Sequence, residues 1–390
     1  MSSKCKVKGK EKQDLKQLKQ DFLEKSLIEK SLILILPIFF IFFFSKNSFS
    51  ISSSLCSNCH TMHASYFENG THEVKAAQPL LLKYDCLGCH GVGGSSRVVY
   101  FGNIAVPQVL HSDPVDLAGG NFAYITGAKQ GNGTPNRRGH NVIELGIIED
   151  AFGNETPGFP HSLFGINFKE KFSCAGPFGC HGPYRNMSGP TGTASLKGAH
   201  HNNISGKIEE TNLNATSGRF YRFLQGVWGF EVSDWENRDS THHNEYYGTS
   251  SPTTQYYPNC NECHNVSMGV GVGAKYHTMS NFCATCHGNF HESVSTGSSS
   301  PWLRHPTDRV IPNSGEFSNY TTYDVNVPVA RTTVPSAPSS TVTPGQDVVM
   351  CLSCHYAHAS PYPSMLRWDY NAVLAGSPEK IGCKKCHSQK

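Results

Sequence analysis

The sequence predicts a fold that is mostly irregular coil, with few short helices and minimal strand. The chain of 390 residues contains 37 Gly and 22 Pro, and only 16% of its residues are charged, so few segments can form long amphipathic helices. The stretches 91–173 and 182–259 are long and rich in Gly, Asn, Ser and Thr, which favour turns and loops. Structureless connections of this length normally argue against a compact fold, so something other than side chains must supply much of the core.

The cysteines follow a repeated pattern that indicates what supplies the rest of the core. Fourteen of the 15 cysteines form seven closely spaced pairs, and a histidine directly follows each pair. Six motifs, at 56–60, 86–90, 260–264, 283–287, 351–355 and 383–387, read Cys-x-x-Cys-His, and the one at 174–181 reads Cys-x5-Cys-His. The pairs are Cys56/Cys59, Cys86/Cys89, Cys174/Cys180, Cys260/Cys263, Cys283/Cys286, Cys351/Cys354 and Cys383/Cys386. The histidines are His60, His90, His181, His264, His287, His355 and His387.

This pattern indicates covalent haem attachment. Disulfides do not require a trailing histidine, and zinc sites built from paired cysteines do not place a histidine after every pair. Covalent haem does require it, because two thiols add to the two vinyl groups and the adjacent imidazole ligates the iron. We therefore expect seven covalently bound haem c groups, and the faces of these haems supply the apolar surface that strands and helices usually bury.

The motif at 174–181 differs from the others because three additional residues separate its cysteines. Its sequence is Cys174-Ala-Gly-Pro-Phe-Gly-Cys180-His181. Pro177 and the two glycines allow these residues to loop out without moving the sulfur atoms apart. We expect haem attachment here, and the alternatives are a local disulfide or a haem held by a single thioether bond.

The other 13 histidines are candidates for the second axial ligand of each iron. His63 and His358 lie three residues after a motif histidine, so each faces away from its own iron and can reach a neighbouring haem. Bis-histidine ligation leaves no open coordination position, which predicts electron transfer without catalysis, at a lower potential than His/Met ligation gives. The candidates are His63, His111, His140, His200, His201, His243, His305 and His358, with His277 and His291 as weaker ones.

Residues 1–50 are organised like a secretory signal peptide, which leaves 51–390 as a single multihaem unit. An apolar run, Leu32 to Phe44, follows a basic segment, and Ser48-Phe49-Ser50 is a small-x-small cleavage candidate. A helix that spans a membrane needs about 20 apolar residues, and an uncleaved membrane anchor is the alternative. Residues 51–390 contain 23 basic and 25 acidic residues, so their charge does not indicate nucleic-acid binding. We expect a secreted protein, extracellular or at the cell surface.

Several segments along nearly the whole mature chain carry a family resemblance. They are Cys56-Ser-Asn-Cys-His-Thr-Met-His63, Gly119-Gly-Asn-Phe-Ala-Tyr124, Gly139-His-Asn-Val142, Met279 to His291, Leu303-Arg-His-Pro306, Met350 to Ser360 and Cys383-Lys-Lys-Cys-His387. In these segments the chain resembles the OmcS-type outer-surface cytochromes, which polymerise into extracellular nanowires.

The resemblance implies a continuous chain of bis-histidine haems in each subunit and one ligand shared across the subunit junction. His63 looks like the residue that ligates a haem of the next subunit, so copies of the chain would join head to tail into a homopolymer. The sequence departs from the family at the Cys-x5-Cys-His motif, for which His200 or His201 is the expected ligand. It also has an additional motif at 260–264, for which His243 is the expected ligand.

The sequence therefore predicts a filament subunit that is not an enzyme and that transfers electrons to redox partner proteins or extracellular acceptors. A monomeric secreted or periplasmic multihaem carrier is the alternative. A multihaem reductase is a third possibility, and it would need a haem with an open face. These classes differ in whether copies of the chain polymerise and in whether every iron has two histidine ligands.

Overall fold

The structure is a computed structural model whose described residues all belong to the unit Ile51–Lys390. The predicted signal peptide at 1–50 lies outside them. Within the described ranges, no helix is long and apolar enough to cross a membrane. The described residues are 60, 65–68, 71–74, 82, 84–102, 104–146, 157, 170–181, 191–195, 224, 227–249, 278–291, 305–374, 378 and 380–389.

Turns and irregular segments make up most of the described chain, which confirms the predicted fold class. The α-helices are short: α1 is Cys86–His90, α2 is Ala123–Thr126, α3 is Met279–His291 and α4 is Cys383–Cys386. The helices α1 and α3 each contain a whole haem motif, and α4 contains the two cysteines of another. Single 3-10 turns occur at Pro135–Arg137, Ile143–Leu145, Gly192–Ser195, Gly315–Asn319, Cys351–Ser353, Pro363–Met365 and Tyr370–Val373.

The strands form two hairpins and one small mixed sheet. In the hairpins, β1 (Ser65–Glu68) pairs with β2 (Thr71–Val74), and β3 (Val98–Phe101) pairs with β4 (Ile104–Pro107). The sheet contains β5 (Gly229–Phe230), β6 (Glu245–Tyr247), β7 (Arg309–Val310), β8 (Ala330–Arg331) and β9 (Val348–Val349) in the order β5-β6-β8-β9-β7, and β6 and β8 run parallel.

Side-chain hydrogen bonds begin two of the helices that carry haem motifs. The carboxylate of Asp85 accepts a hydrogen bond from the Gly88 N–H at 2.8 Å and caps α1. The Thr278 hydroxyl accepts a hydrogen bond from the Asn281 N–H at 3.0 Å at the start of α3. The backbone of α3 leaves the helical conformation at His287 (φ −117°, ψ 43°). The motif histidine of α3 therefore lies where the regular helix is interrupted.

Three apolar clusters form the core, and each of them contacts cysteines of the haem motifs. The cluster around Tyr246 and Met350 packs against Cys180 and Cys283. The cluster around Trp368 packs against Cys354 and Cys386, and the cluster around Phe122 packs against Cys174. Because thioether bonds to these cysteines would hold haem against the same clusters, the apolar core and the expected haems are parts of one packed interior.

Candidate functional site: paired histidines and cysteine motifs

The motif at 351–355 shows how the backbone brings two cysteines and a histidine together. The carbonyl oxygen of Cys351 accepts hydrogen bonds from the N–H groups of Cys354 at 3.2 Å and His355 at 3.0 Å. At the C-terminal motif, the carbonyl oxygen of Cys383 accepts the corresponding bond from the His387 N–H at 2.9 Å. A single tight turn therefore supplies both thiols and the imidazole.

The longer motif at 174–181 keeps the same two backbone bonds. The carbonyl oxygen of Cys174 accepts hydrogen bonds from the N–H groups of Cys180 at 3.1 Å and His181 at 2.9 Å. The additional residues form an internal turn in which the Gly179 N–H donates to the Gly176 carbonyl at 3.0 Å. Gly176 adopts φ +109°, which favours glycine. The insertion thus leaves the two hydrogen bonds between the carbonyl of the first cysteine and the Cys-His end as they are in the shorter motif.

Cys89 and Cys286 are the second cysteines of the two helical motifs at 86–90 and 283–287. Cys89 lies in α1 and Cys286 in α3, and both side chains are half-buried. The carbonyl oxygen of Cys89 accepts a hydrogen bond from Nε2 of Gln108 at 2.8 Å, which ties α1 to the end of the β3–β4 hairpin. A hydrogen bond with Cys351 and burial are the main causes that raise the pKa of the Cys283 thiol, and the nearby Cys286 adds to them. Both positions are compatible with thioether bonds, and their attachment to haem stays a prediction.

In three pairs of histidines, the ring centroids are separated by the distance that two ligands of one iron ion require. With metal–nitrogen bonds of about 2 Å and a ring centroid about 1.2 Å behind the nitrogen, two imidazoles on opposite faces of one iron have centroids about 6.3 Å apart. In each observed pair, one member belongs to a haem motif and the other is a candidate distal ligand. The centroid separations are 6.2 Å for His140/His287, 6.1 Å for His181/His358 and 6.3 Å for His305/His387.

Backbone carbonyl groups orient both rings of the His140/His287 pair. Nδ1 of His140 donates to the carbonyl of Ala357 at 2.8 Å, and Nδ1 of His287 donates to the carbonyl of Pro157 at 2.6 Å. Because Nδ1 carries the proton, the Nε2 lone pair is available for a metal. Burial lowers the pKa of His140 to about 4, which keeps the ring in the neutral form that ligates iron.

The same arrangement recurs at two motif histidines outside this pair. Nδ1 of His90 donates to the carbonyl of Pro107 at 2.8 Å, and Nδ1 of His355 donates to the carbonyl of Ser364 at 2.7 Å. Burial lowers the pKa of both rings. Among the described residues, no second imidazole faces His355. A histidine ligand on its sixth position would therefore come from outside those ranges or from another subunit.

Cysteines of different motifs lie against one another. A hydrogen bond with Cys86 and burial raise the pKa of the Cys174 thiol, and a hydrogen bond with Cys351 and burial raise that of Cys283. The ten described cysteines form no disulfide, Cys174 and Cys180 included. Cysteines that are not joined to each other and that precede a histidine are available for thioether bonds to haem.

These contacts give the described motifs an order. Cys86 contacts Cys174, Cys180 lies near Cys283, Cys283 contacts Cys351, and Cys354 lies near Cys383 and Cys386. Haems bound to neighbouring cysteines have neighbouring edges. In space, the described motifs therefore follow one another in the order 86–90, 174–181, 283–287, 351–355 and 383–387.

His358 and His111 have different surroundings. The expected ligands of His181 were His200 and His201, and the imidazole that faces His181 in the structure is His358. His111 is buried, its Nε2 lies 3.2 Å from the Asn121 amide nitrogen, and its Nδ1 has no hydrogen-bond partner. His358 therefore lies at a suitable distance from a motif histidine, whereas His111 has no second imidazole at such a distance among the described residues, and the ligand roles of both stay predictions.

Several predicted site residues lie outside the described residues, so their roles stay predictions. The whole additional motif is among them, and so is the histidine expected at the subunit junction. Of the first motif, only His60 is described, and it is exposed. The residues outside the described ranges are Cys56, Cys59, His63, His200, His201, Cys260, Cys263, His264 and His277, together with the side chain of His291.

His243 does not have the surroundings expected of an iron ligand. The ring is fully buried, its Nδ1 lies 3.1 Å from the Asp239 carbonyl, and its Nε2 lies 3.2 Å from the Glu245 carboxylate. Both neighbours are hydrogen-bond acceptors, so both ring nitrogens already lie against groups of the protein. The expectation that His243 serves the motif at 260–264, whose Cys260 and Cys263 lie outside the described residues, stays a prediction.

In the structure, His243 belongs to a buried ionic network. Arg331 donates from Nε to Glu245 at 3.0 Å and from Nη1 to Asp347, which links β6 and β8 to the residue before β9. Burial alone would raise the pKa of the Glu245 carboxyl, but its bonds with His243 and Arg331 bring that pKa below its ordinary value. His243 also stacks on the Tyr323 ring at 3.6 Å. These contacts join His243 to the residues that hold the sheet together.

Sequence reasoning missed Glu144. Its carboxylate and the sulfur atoms of Cys86 and Cys174 lie within 4.8 Å of one another. Because both thiols belong to haem motifs, this group is not a separate metal site. Glu144 lies in a connecting segment that has no motif of its own, so no local signal in the sequence could have identified it.

Comparison with known proteins gives two sequence similarities. The family model described as the doubled CXXCH motif matches residues 343–390. The chain is 25% identical over 359 residues to the C-type cytochrome OmcS of Geobacter sulfurreducens, which covers 80% of this chain and 78% of that protein.

Two solved structures are also similar to the chain, both at 19% sequence identity. One is the Outer Membrane Cytochrome S filament from Geobacter sulfurreducens, with a TM-score of 0.43 over 82% of this chain and 84% of that one. The other is the cryo-EM structure of the OmcS nanowires from the same organism, with a TM-score of 0.40 over 80% and 83%. The matched motifs and the sequence similarity support a multihaem c-type cytochrome of OmcS-like type that binds haem c covalently.

Proposed function

We propose that the chain transfers electrons outside the cell through a row of about seven bis-histidine c-type haems. The observation that carries this proposal is the set of three histidine pairs whose ring centroids are separated as two ligands of one iron require. Haem iron with both axial positions filled exchanges electrons without binding a substrate. The function is therefore electron carriage and not catalysis.

Each haem would be held by a motif of this chain. The two cysteines of a motif form the thioether bonds, the motif histidine is the proximal ligand, and His140, His305 and His358 are the distal ligands of three irons. The backbone carbonyls of Ala357 and Pro306 accept hydrogen bonds from Nδ1 of His140 and His305, both at 2.8 Å, and so hold these rings in orientation. The motif at 174–181 is included because it keeps the backbone bonds of the motif at 351–355.

The contacts between cysteines of different motifs support a continuous path. Cys86 and Cys174 are neighbours, as are Cys283 and Cys351, so the haem edges bound to them are neighbours too. Electron transfer between cofactors is efficient when their edges lie close together. We propose that electrons pass through the described motifs in the order of these contacts and continue to redox partner proteins or extracellular acceptors.

We further propose that copies of the chain polymerise head to tail. His63 lies three residues after a motif histidine, and its likeness to the OmcS-type opening motif favours a ligand for a haem of the next subunit. His355 is a suitable recipient, because among the described residues no imidazole faces it. A heterologous contact that does not close into a ring extends into a filament.

Microscopy and mass spectrometry of the secreted fraction test this proposal. Wild-type protein should form filaments in negative stain, and its intact mass should correspond to seven haems on a chain without residues 1–50. His63→Ala should abolish the filaments and leave the haem number unchanged. The matched control is His242→Ala, because Nε2 of His242 already bonds to Asp234 at 2.8 Å. Filaments that persist in His63→Ala would contradict the polymer proposal and leave a monomeric carrier.

A spectrum distinguishes electron carriage from an enzyme with an open haem. A reduced-minus-oxidised spectrum without a high-spin feature, unchanged by carbon monoxide, would support complete bis-histidine ligation. A multihaem reductase would instead show a high-spin haem that binds carbon monoxide when reduced.

A further inference from the structure

Glu144 lies where two haem motifs meet. Its carboxylate and the sulfur atoms of Cys86 and Cys174 lie within 4.8 Å of one another. Each sulfur is the attachment point of a different haem in the proposed function. The carboxylate is therefore close to the thioether edges of two haems at once.

Hydrogen bonds hold this carboxylate in place. The Ser173 hydroxyl donates to Oε1, and the backbone N–H of Cys174 lies 3.1 Å from Oε1 and 3.2 Å from Oε2. The turn Ile143–Leu145, which carries Glu144, is joined to the segment before the motif, because the Ile143 N–H donates to the Phe172 carbonyl at 2.8 Å. The carboxylate thus has a defined position beside the motif at 174–181.

We propose that Glu144 lowers the reduction potentials of the haems bound at 86–90 and 174–181, and that the hydroxyl of Ser173 offsets part of this effect. The inference rests on the proposed function, since it requires haem at both motifs. Bis-histidine haem carries one more positive charge when its iron is ferric than when it is ferrous. A nearby negative charge therefore stabilises the oxidised state.

The surroundings of Glu144 strengthen this effect. The side chain is only partly exposed, and Ser173 beside it is buried. A carboxylate in such a position is screened less by salt and water than one on the open surface. A hydrogen bond donated to a carboxylate spreads its charge, so Ser173 should weaken the field that Glu144 exerts on the haems.

Potentiometric titration of purified, haem-loaded protein tests the proposal. Glu144→Gln keeps the size of the side chain and an oxygen that accepts hydrogen bonds, but it removes the charge. The part of the titration curve that corresponds to two of the haems should then shift to more positive potential. The matched control is Glu170→Gln, which removes the same charge from an exposed side chain four residues before Cys174 and should leave the curve close to that of the wild type.

A second variant gives a shift of the opposite sign. Ser173→Ala removes the hydroxyl donor and leaves the Glu144 charge less compensated, so the same part of the curve should shift to more negative potential. Glu144→Asp keeps the charge and should titrate close to the wild type. Coincident curves for Glu144→Gln and Glu170→Gln would overturn the proposal, and so would a positive shift in Ser173→Ala.

The haem number separates this inference from the proposed function. Intact mass is measured on each variant before titration. A wild-type mass without a haem at 174–181 would count against the proposed function itself. Wild-type and Glu144→Gln proteins that both carry the full number of haems, but have the same potentials, would count against the role of Glu144 alone.

Discussion

The carbonyl oxygen of Cys174 and the N–H of His181 are joined by a hydrogen bond of 2.9 Å, and the bond between the Cys383 carbonyl and the His387 N–H has the same length. The motif at 174–181 has five residues between its cysteines, and the motif at 383–387 has two. The bond therefore does not depend on the spacing within the motif. What the two motifs share is the backbone position of the first cysteine relative to the Cys-His end.

This relationship predicts that the motif at 174–181 binds one haem through two thioether bonds. The double variant Cys174→Ala/Cys180→Ala should lose the mass of one haem in an intact mass spectrum under denaturing conditions. Cys5→Ala is the control, because Cys5 lies in the predicted signal peptide and its loss should not change the haem number. An unchanged haem number in the double variant would show that this motif binds none.

The turn inside the motif should tolerate no side chain at Gly179. A Cβ there would lie 2.5 Å from the backbone carbon of Ala175, where little movement is possible. Gly179→Ala should lower the free energy of unfolding by about 1–3 kcal/mol and reduce haem occupancy at this motif. Thermal unfolding followed by haem absorbance measures the first effect, and intact mass measures the second.

Gly94→Ala is the matched control for this substitution. A Cβ at Gly94 has no heavy atom within 4 Å, although its φ of +56° makes any side chain costly by about 1–2 kcal/mol. It should therefore lower stability without loss of haem. If both variants kept all haems, the turn at 176–179 would not be needed for attachment.

The sequence was sufficient for the parts of the site that depend on local spacing. Each motif is a short run in which the cysteines and the histidine are neighbours, and in the described motifs at 174–181, 351–355 and 383–387 one turn of backbone brings them together. The coil-rich fold was predictable for a similar reason, because glycine, proline and small polar residues act on the backbone where they stand.

Contacts between distant segments could not be predicted in the same way. The ring of His181 lies beside that of His358, which is distant in the sequence, and this contact depends on how the chain folds back on itself. The bonds of His243 depend on Glu245, which Arg331 holds from another strand. The number of histidines shows how many ligands are available. Which candidate histidine lies beside which motif histidine depends on the packing of segments that are distant in the sequence.

The pairing of His181 with His358 predicts the effect of removing one ring. His358→Ala should leave one iron five-coordinate, because the ring that faces His181 at a centroid distance of 6.1 Å is lost. The oxidised spectrum should gain a high-spin feature for one haem, and the reduced protein should bind carbon monoxide. The haem number should not change, since thioether bonds hold the haem.

A packing variant of the same pocket separates ligation from general disturbance. The ring of Phe122 packs against His358 at a centroid distance of 4.9 Å but is no ligand. Phe122→Leu should keep the low-spin spectrum and cost less than about 1.5 kcal/mol of stability. An all-low-spin spectrum in His358→Ala would contradict the pairing.

For His243 we predict the opposite result, because its two ring nitrogens lie within hydrogen-bond distance of the Asp239 carbonyl and the Glu245 carboxylate. His243→Ala should produce no high-spin feature, but it should lower the free energy of unfolding by about 2–4 kcal/mol. The loss includes the bond to the Glu245 carboxylate at 3.2 Å and the stacking on Tyr323 at 3.6 Å, and it leaves a buried carboxylate with one donor fewer. Spectroscopy and thermal unfolding of the same sample separate the two roles.

His242→Ala is the neighbouring control, because its partner Asp234 is partly exposed and such pairs contribute less than about 1 kcal/mol. A stability loss that is large for His243→Ala and small for His242→Ala, with both spectra low-spin, would fit a structural role for His243. A new high-spin haem in His243→Ala would instead make it an iron ligand. The bonds to Asp239 and Glu245 would then have to break when haem binds, and the distal ligand of the motif at 260–264 would be the histidine that the sequence indicated.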